Sequence, residues 1–240
     1  MDRPLPPEEL CYRVSGTRNL DWFDRSGKIT VDLYAKGLST LSRGFAEFTD
    51  IYDWGCGCGR VLRWLLDEAP QARLFGSDID GAAIEWLRTT YPQFDARVNA
   101  GLPPLPFRNT IFDLVLGYSV FTHLDEAYQD AWLAELRRMT RPGASLLLTI
   151  SSDRMWDHTM TTSDHPRLNE LRAMREMLDK RGIIFWTGDG WEQHFPEFYH
   201  TTFHTHNYVR SHWSQWFEVV AIREGTVEMP QDIVVLRRGE

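Results

Sequence analysis

The sequence predicts an α/β fold: a doubly wound, mostly parallel sheet with helices on both faces. Three observations carry this. Short apolar runs alternate with segments of helical spacing between residues 50 and 150, as βαβ units require. The first run, Ile51-Tyr52-Asp53-Trp54, feeds into a loop of alternating glycines, Gly55, Gly57 and Gly59. The second run, over 72–77, ends on Asp78, followed by Ile79-Asp80. A strand, a glycine turn, a helix and a second strand tipped with an acid form the unit that holds a nucleoside-containing cofactor. Glycine has no Cβ, so the chain turns sharply and approaches a ligand closely. A carboxylate after the second strand can accept hydrogen bonds from both ribose hydroxyls.

The elements follow in order. Residues 1–16 read as a proline-rich arm, and helices are predicted over 20–24 and 31–45, the second with Leu33, Tyr34, Leu38 and Leu41 near helical spacing. Val61, Leu62, Trp64, Leu65 and Ala69 share one helical side after the glycine loop. A helix over 82–90 follows Asp80-Gly81, and another spans 125–140 with Asp125 as its N-cap. Strands are read at 112–117 and 145–150. Beyond these the pattern changes: a helix over 167–181, a possible strand at 182–186, then the aromatic and histidine-rich run Trp191 to His200. A helix over 208–216 and strands at 217–222 and 232–236 close the chain.

The glycine spacing discriminates between cofactors. A dinucleotide fingerprint reads G-x-G-x-x-G, with a helix N-terminus aimed at pyrophosphate. Here the spacing is Gly55-x-Gly57-x-Gly59, with Asp53 just before it. A carboxylate there repels pyrophosphate and suits an ammonium or a sulfonium. This stretch resembles the first motif of the class I S-adenosylmethionine-dependent methyltransferases. Asn99-Ala100-Gly101, Leu105-Pro106-Phe107, Phe112 to Gly117, and Trp132 to Ala144 resemble the family's later motifs, in the family's order.

The resemblance implies a Rossmann-like seven-stranded sheet, with N-terminal helices over 1–45, a cofactor-binding core over 46–152, an inserted acceptor-site cover over 153–206, and a closing helix and two strands over 207–240. It implies S-adenosylmethionine as cofactor. Asp53, Gly55, Cys56 and Gly57 would hold its methionine end, Asp78 the ribose, Ile79, Asn99 and Ala100 the adenine side, and Tyr118 the methionine tail. Asn99 stands where the family often has an aspartate; its amide oxygen can still accept a hydrogen bond. The leading expectation is methyl transfer to oxygen or nitrogen of a small molecule. The alternatives are a protein or RNA acceptor, or a fold that only binds the cofactor.

A hydroxyl acceptor needs a general base. His123 lies just past the fourth strand, while His200 and His204 fall within the aromatic insert with Tyr199, Trp186 and Trp191, the expected acceptor contacts. On a helix, His200 and His204 would face one way, and with His206 they raise a metal reading. No carboxylate or cysteine stands at matching spacing, so no metal is expected.

Composition sets bounds. The 240 residues carry a net charge of −8, against general binding to nucleic-acid backbone. The basic cluster Arg167, Arg172, Arg175, Lys180 and Arg181 reads as a solvated helix face. No apolar run approaches eighteen residues, and residues 1–7 lack the apolar core of a signal peptide. Three cysteines, two of them in the glycine loop, do not make a disulfide framework, so a reducing cytoplasm is expected. Oligomeric state is not encoded in any motif.

Overall fold

The computed structural model describes residues 3–190 and 195–240. Its main sheet has seven strands in the order β3-β2-β1-β4-β5-β9-β8. In chain order these are β1 (Asp50–Trp54), β2 (Arg73–Asp78), β3 (Asp95–Val98), β4 (Phe112–Gly117), β5 (Thr140–Ile150), β8 (Glu218–Arg223) and β9 (Asp232–Arg237). The first five run parallel, and β9 is antiparallel to both of its neighbours. β1 is buried along its whole length, as a central parallel strand covered on both faces must be. Strand order reverses between β1 and β4. The loops after β1, β2, β3 and β4 therefore share one edge, at the switch point where such sheets take ligands.

Two cores flank the sheet. One packs Tyr34, Leu38, Leu62, Leu65, Ile84 and Leu87 from helices α2 (Leu20–Ser39), α3 (Leu62–Glu68) and α4 (Gly81–Thr90). The other packs Trp132, Leu133, Leu136, Met139 and Trp213 from α5 (Glu126–Met139) and the chain's end. Capping follows the sequence signals. Asp80 accepts from the Ala82 and Ala83 amides to start α4, and Asp125 from the Tyr128 amide to start α5.

Several elements differ from the reading of the sequence. The arm contains a helix, α1 (Glu8–Ser15), closed by Gly16 at φ 70°. The two helices expected over 20–45 are one continuous helix, α2, capped by Asn19 accepting from the Trp22 amide at 2.9 Å. Gly27 sits inside it because a Cβ there would strike the Arg60 carbonyl oxygen and crowd Trp64. Gly27→Ala gains about 1 kcal/mol of helix propensity and loses about 1–3 kcal/mol to overpacking against backbone. A net loss of roughly 1–2 kcal/mol is expected in urea titration; a gain in stability would show that α2 can shift freely.

The cover is a small α/β unit. The helix expected over 167–181 divides into α7 (Leu168–Ala173) and α8 (Arg175–Arg181), because Met174 sits at ψ −3° and its amide donates to Leu171 three residues back. With α6 (Asp153–Thr162) they pack on an antiparallel hairpin of β6 (Ile183–Trp186) and β7 (Thr201–His204). Trp156, Leu171, Leu178, Ile184, Trp186 and Phe203 form its own core. The basic helix face is neutralised by neighbours: Arg167 meets Glu170, Arg175 meets Asp153 and Asp179, and Lys180 meets Glu176. The closing helix, α9 (His206–His212), is shorter than expected and passes into a 3-10 turn at Trp213–Gln215. No helix of the described residues is long and apolar enough to cross a membrane.

Candidate active site

The glycine loop is shaped by backbone that other residues rarely adopt. Gly55, Gly57 and Gly59 hold φ of 73°, 52° and 78°. A Cβ on Gly55 would lie 2.5 Å from Val120, and one on Gly57 2.5 Å from Val14. The loop, the β2 tip, the β3 tip and the β4 tip enclose a cavity of about 400 Å³. All nine residues the sequence assigned to the cofactor line it: Asp53, Gly55, Cys56, Gly57, Asp78, Ile79, Asn99, Ala100 and Tyr118.

A buried acid, Asp53, and a half-buried one, Asp78, set its electrostatics. Burial pushes the Asp53 carboxyl up to about 8; Arg60 pulls it back and Asp78 adds to the rise. Asp78 is raised by burial too, and is held by hydrogen bonds from the Gly57 and Asp80 amides, each at 2.8 Å. Each of its oxygens retains a lone pair for a further donor. Asn99 is tied on both sides. Its amide oxygen accepts from Ser77 at 2.7 Å, and its nitrogen donates to the Ala100 carbonyl at 2.7 Å. Burial raises both loop thiols, Cys58 to about 12 and Cys56 well above the ordinary range. All three cysteines are free and buried.

A second cavity of about 330 Å³ shares the walls formed by Arg13, Arg60, Tyr118, Ser119, Phe195 and Tyr199. Tyr12 of α1, Trp22 of α2, His123 and Met229 complete it. His123 is positioned by its neighbours. Its ring stacks on Tyr199 at 4.0 Å between centroids, and its Nε2 lies 3.3 Å from the Ser119 hydroxyl. Burial lowers it to about 4, so it is neutral at physiological pH.

The other assigned acceptor-site residues are placed elsewhere. His204 lines neither cavity. It is fully buried, hydrogen-bonded through Nε2 to the Gln129 side chain, and lowered to about 3 by burial. His200 is also outside both cavities. Its Nδ1 meets Asp189 at 2.8 Å, and its amide donates to the His123 carbonyl. His206 turns to Asp232. The three histidines thus take three separate partners on a strand and helix start, and no cluster of metal-ligand type forms among the described residues. Trp186 belongs to the cover's own core, since burying its indole there stabilises the hairpin. Tyr199 does reach both cavities. Trp191 and His194 lie outside the described residues. Phe195 and Phe198 of the aromatic run line the first cavity, as Phe195 does the second, while Arg13, Arg60 and Met229 were not singled out by the sequence. Only Arg60 carried a signal, its place directly after the glycine loop.

Residues 51–143 match the family described as "Methyltransferase domain". Over these residues the chain is similar to the S-adenosylmethionine-dependent methyltransferases. A curated relative from Mycolicibacterium smegmatis, a probable S-adenosylmethionine-dependent methyltransferase, is 29% identical over 137 residues, 56% of this chain and 51% of its own. A second from Hahella chejuensis, a malonyl-[acyl-carrier protein] O-methyltransferase, is 33% identical over 99 residues, 41% of this chain and 35% of its own. The chain thus spans about half the length of the first and about a third of the second. The solved magnesium protoporphyrin IX methyltransferase of Synechocystis PCC 6803 superposes with TM-score 0.60 at 16% identity, covering 96% of this chain and 94% of that one. The likeness is one of fold.

Proposed function

We propose that this protein transfers a methyl group from S-adenosylmethionine to an oxygen or nitrogen of a small-molecule acceptor held in the second cavity. One observation carries the reading: the cavity of the glycine loop and Asp78 shares walls with a second one lined by aromatic rings. Two joined compartments are what a donor and an acceptor need for in-line transfer. The first fits the cofactor chemically. Its Gly55 and Gly57 hold a left-handed turn packed against Val120 and Val14, which a Cβ would break, and Asp53 is a buried acid that a cation would satisfy.

When bound, the cofactor supplies an electrophilic methyl carbon on a sulfonium. The chain's part is alignment and exclusion of water. Asp53 faces the cationic end, Asp78 takes hydroxyls, and Phe195 and Tyr199 roof the passage between the compartments. His123 would take up the acceptor's proton. It is neutral and lines the acceptor side, though a value near 4 makes it a weak base. The free, buried thiols fit a reducing cytoplasm. Arg167 and Arg175 of the basic helix face are paired with acids, which weighs against a nucleic-acid partner.

Methyl-labelled cofactor incubated with fractionated cell extract tests this. Label in small molecules supports it; label confined to protein or RNA overturns the acceptor class, and absence of any transfer would leave a binding fold only. Cofactor affinity should also depend on pH. The empty site holds Asp53 protonated below about 8. A cationic ligand favours its carboxylate, so binding releases a proton in that range. Affinity should then rise from pH 6 toward 8, by up to ~100-fold if the loaded carboxyl titrates below 6, and flatten above. Calorimetry in two buffers of different ionisation heat would show the proton; affinity independent of pH would remove Asp53 from this role.

A further inference from the structure

Arg60 is the charged group on the shared wall that the protein's own partners leave unused. Arg13 beside it pairs with Asp80 at 3.0 Å, and Glu9 at the rim pairs with Arg18 at 2.7 Å. Among the described residues no carboxylate lies within ion-pair distance of Arg60. Its Nη1 reaches only the Ser26 hydroxyl, at 3.4 Å, and its Cζ stands 4.9 Å from the Tyr118 ring. Its Nε is buried without a hydrogen-bond acceptor. Leaving a buried guanidinium nitrogen unsatisfied is costly unless a ligand completes it. The residue is also well held. It follows Gly59, and the bare Gly27 of α2 lies on its carbonyl. Its charge acts on Asp53, on the same cavity wall, without forming an ion pair with it.

We propose that Arg60 binds a carboxylate at the seam of the two cavities. This rests on the methyl-transfer reading and adds a residue and a ligand group to it. A guanidinium is always charged, and its planar fork matches a carboxylate through two parallel hydrogen bonds. An acid and a base on one wall, Asp53 and Arg60, that do not neutralise each other suit a ligand carrying both an ammonium and a carboxylate. The amino-acid tail of the cofactor is one source of that carboxylate. An acidic acceptor in the second cavity, which Arg60 also lines, is the other.

The test compares wild type, Arg60→Gln and Arg60→Lys by calorimetry with three probes. S-adenosylhomocysteine carries the tail; 5′-methylthioadenosine keeps the nucleoside without it; benzoate is titrated into protein saturated with S-adenosylhomocysteine. If the cofactor brings the carboxylate, Arg60→Gln weakens S-adenosylhomocysteine by ~10–100-fold, Arg60→Lys by less, and methylthioadenosine binding is unchanged. If the acceptor brings it, S-adenosylhomocysteine binding holds and benzoate binding is lost in Arg60→Gln. Unchanged binding of both carboxylate probes overturns the inference. So does an equal loss of methylthioadenosine and S-adenosylhomocysteine in both variants, which marks a merely structural role. A wild type that binds neither nucleoside refutes the methyl-transfer reading itself, and this inference with it.

Discussion

Asp78→Ala is expected to weaken S-adenosylhomocysteine binding by about 1–3 kcal/mol, the usual loss when hydrogen bonds to a charged acceptor are removed. The effect has two parts. Asp78 would lose its hydroxyl contacts with the ligand, and it would also release the Gly57 and Asp80 amides it now accepts from. The first part is a ligand effect; the second loosens the glycine loop and the start of α4. Asp78→Asn separates them, because an amide oxygen can still accept from one backbone donor while the charge is gone. Calorimetry on both variants, with thermal unfolding of the empty proteins, is the measurement. If Asp78→Ala binds as tightly as wild type, the β2 tip is not the ribose site. If a nicotinamide dinucleotide binds equally well, the cofactor class itself is wrong.

Removing His123 and removing His204 should give opposite phenotypes. His123→Ala is expected to lower turnover by about 10²-fold, the low end for general acid–base catalysis, because a base titrating near 4 drives proton transfer weakly. Cofactor affinity should barely change. His204→Ala should leave the chemistry intact and cost about 2–4 kcal/mol of stability, through a cavity and a Gln129 amide left unpaired in the core. Their pH dependence has the same sign. Both imidazoles are folded-state bases lowered below the unfolded value of 6.5, to about 4 and about 3. The unfolded chain therefore binds more protons below 6.5, so their contribution is whole above that pH and is lost as pH falls toward 3–4. Urea titrations at pH 7.5 and 5 should show a smaller difference for His204→Ala than for wild type. Full turnover in His123→Ala would point to an acceptor that arrives already deprotonated.

The parts of the molecule legible in sequence are those where one local rule acts alone. Five buried residues before a glycine loop, an acid at a strand tip, Asp80 and Asp125 as caps: each is a short-range requirement, and each holds. Where two rules compete, reading fails. The gap read between helices 20–24 and 31–45 spans Gly27, yet the helix continues through it, and contact with Arg60 demands a bare Cα there. The edge strand β3 is four residues with half-exposed polar side chains, too short and too mixed to show a period. In the cover, aromatic and histidine content promised a ligand site, while tertiary packing put Trp186 and His204 into cores and left Phe195, Phe198 and Tyr199 at the cavities. The walls of the second cavity from α1 and Met229 come from distant parts of the chain, and no local pattern announces that they meet.

The cover's separate core has a practical consequence. Its hairpin packs on Trp156, Leu171 and Phe203, joins the main domain through the His204 amide to the Ser151 carbonyl and the Thr202 hydroxyl to the Leu124 carbonyl, and has its loop fastened by Asp189, which accepts from the amide and the hydroxyl of Thr201. Swapping residues 195–199 would therefore redraw both cavities at once, because Phe195 and Tyr199 line the two and Phe198 lines the first, so that an engineer would have to retune the pair together.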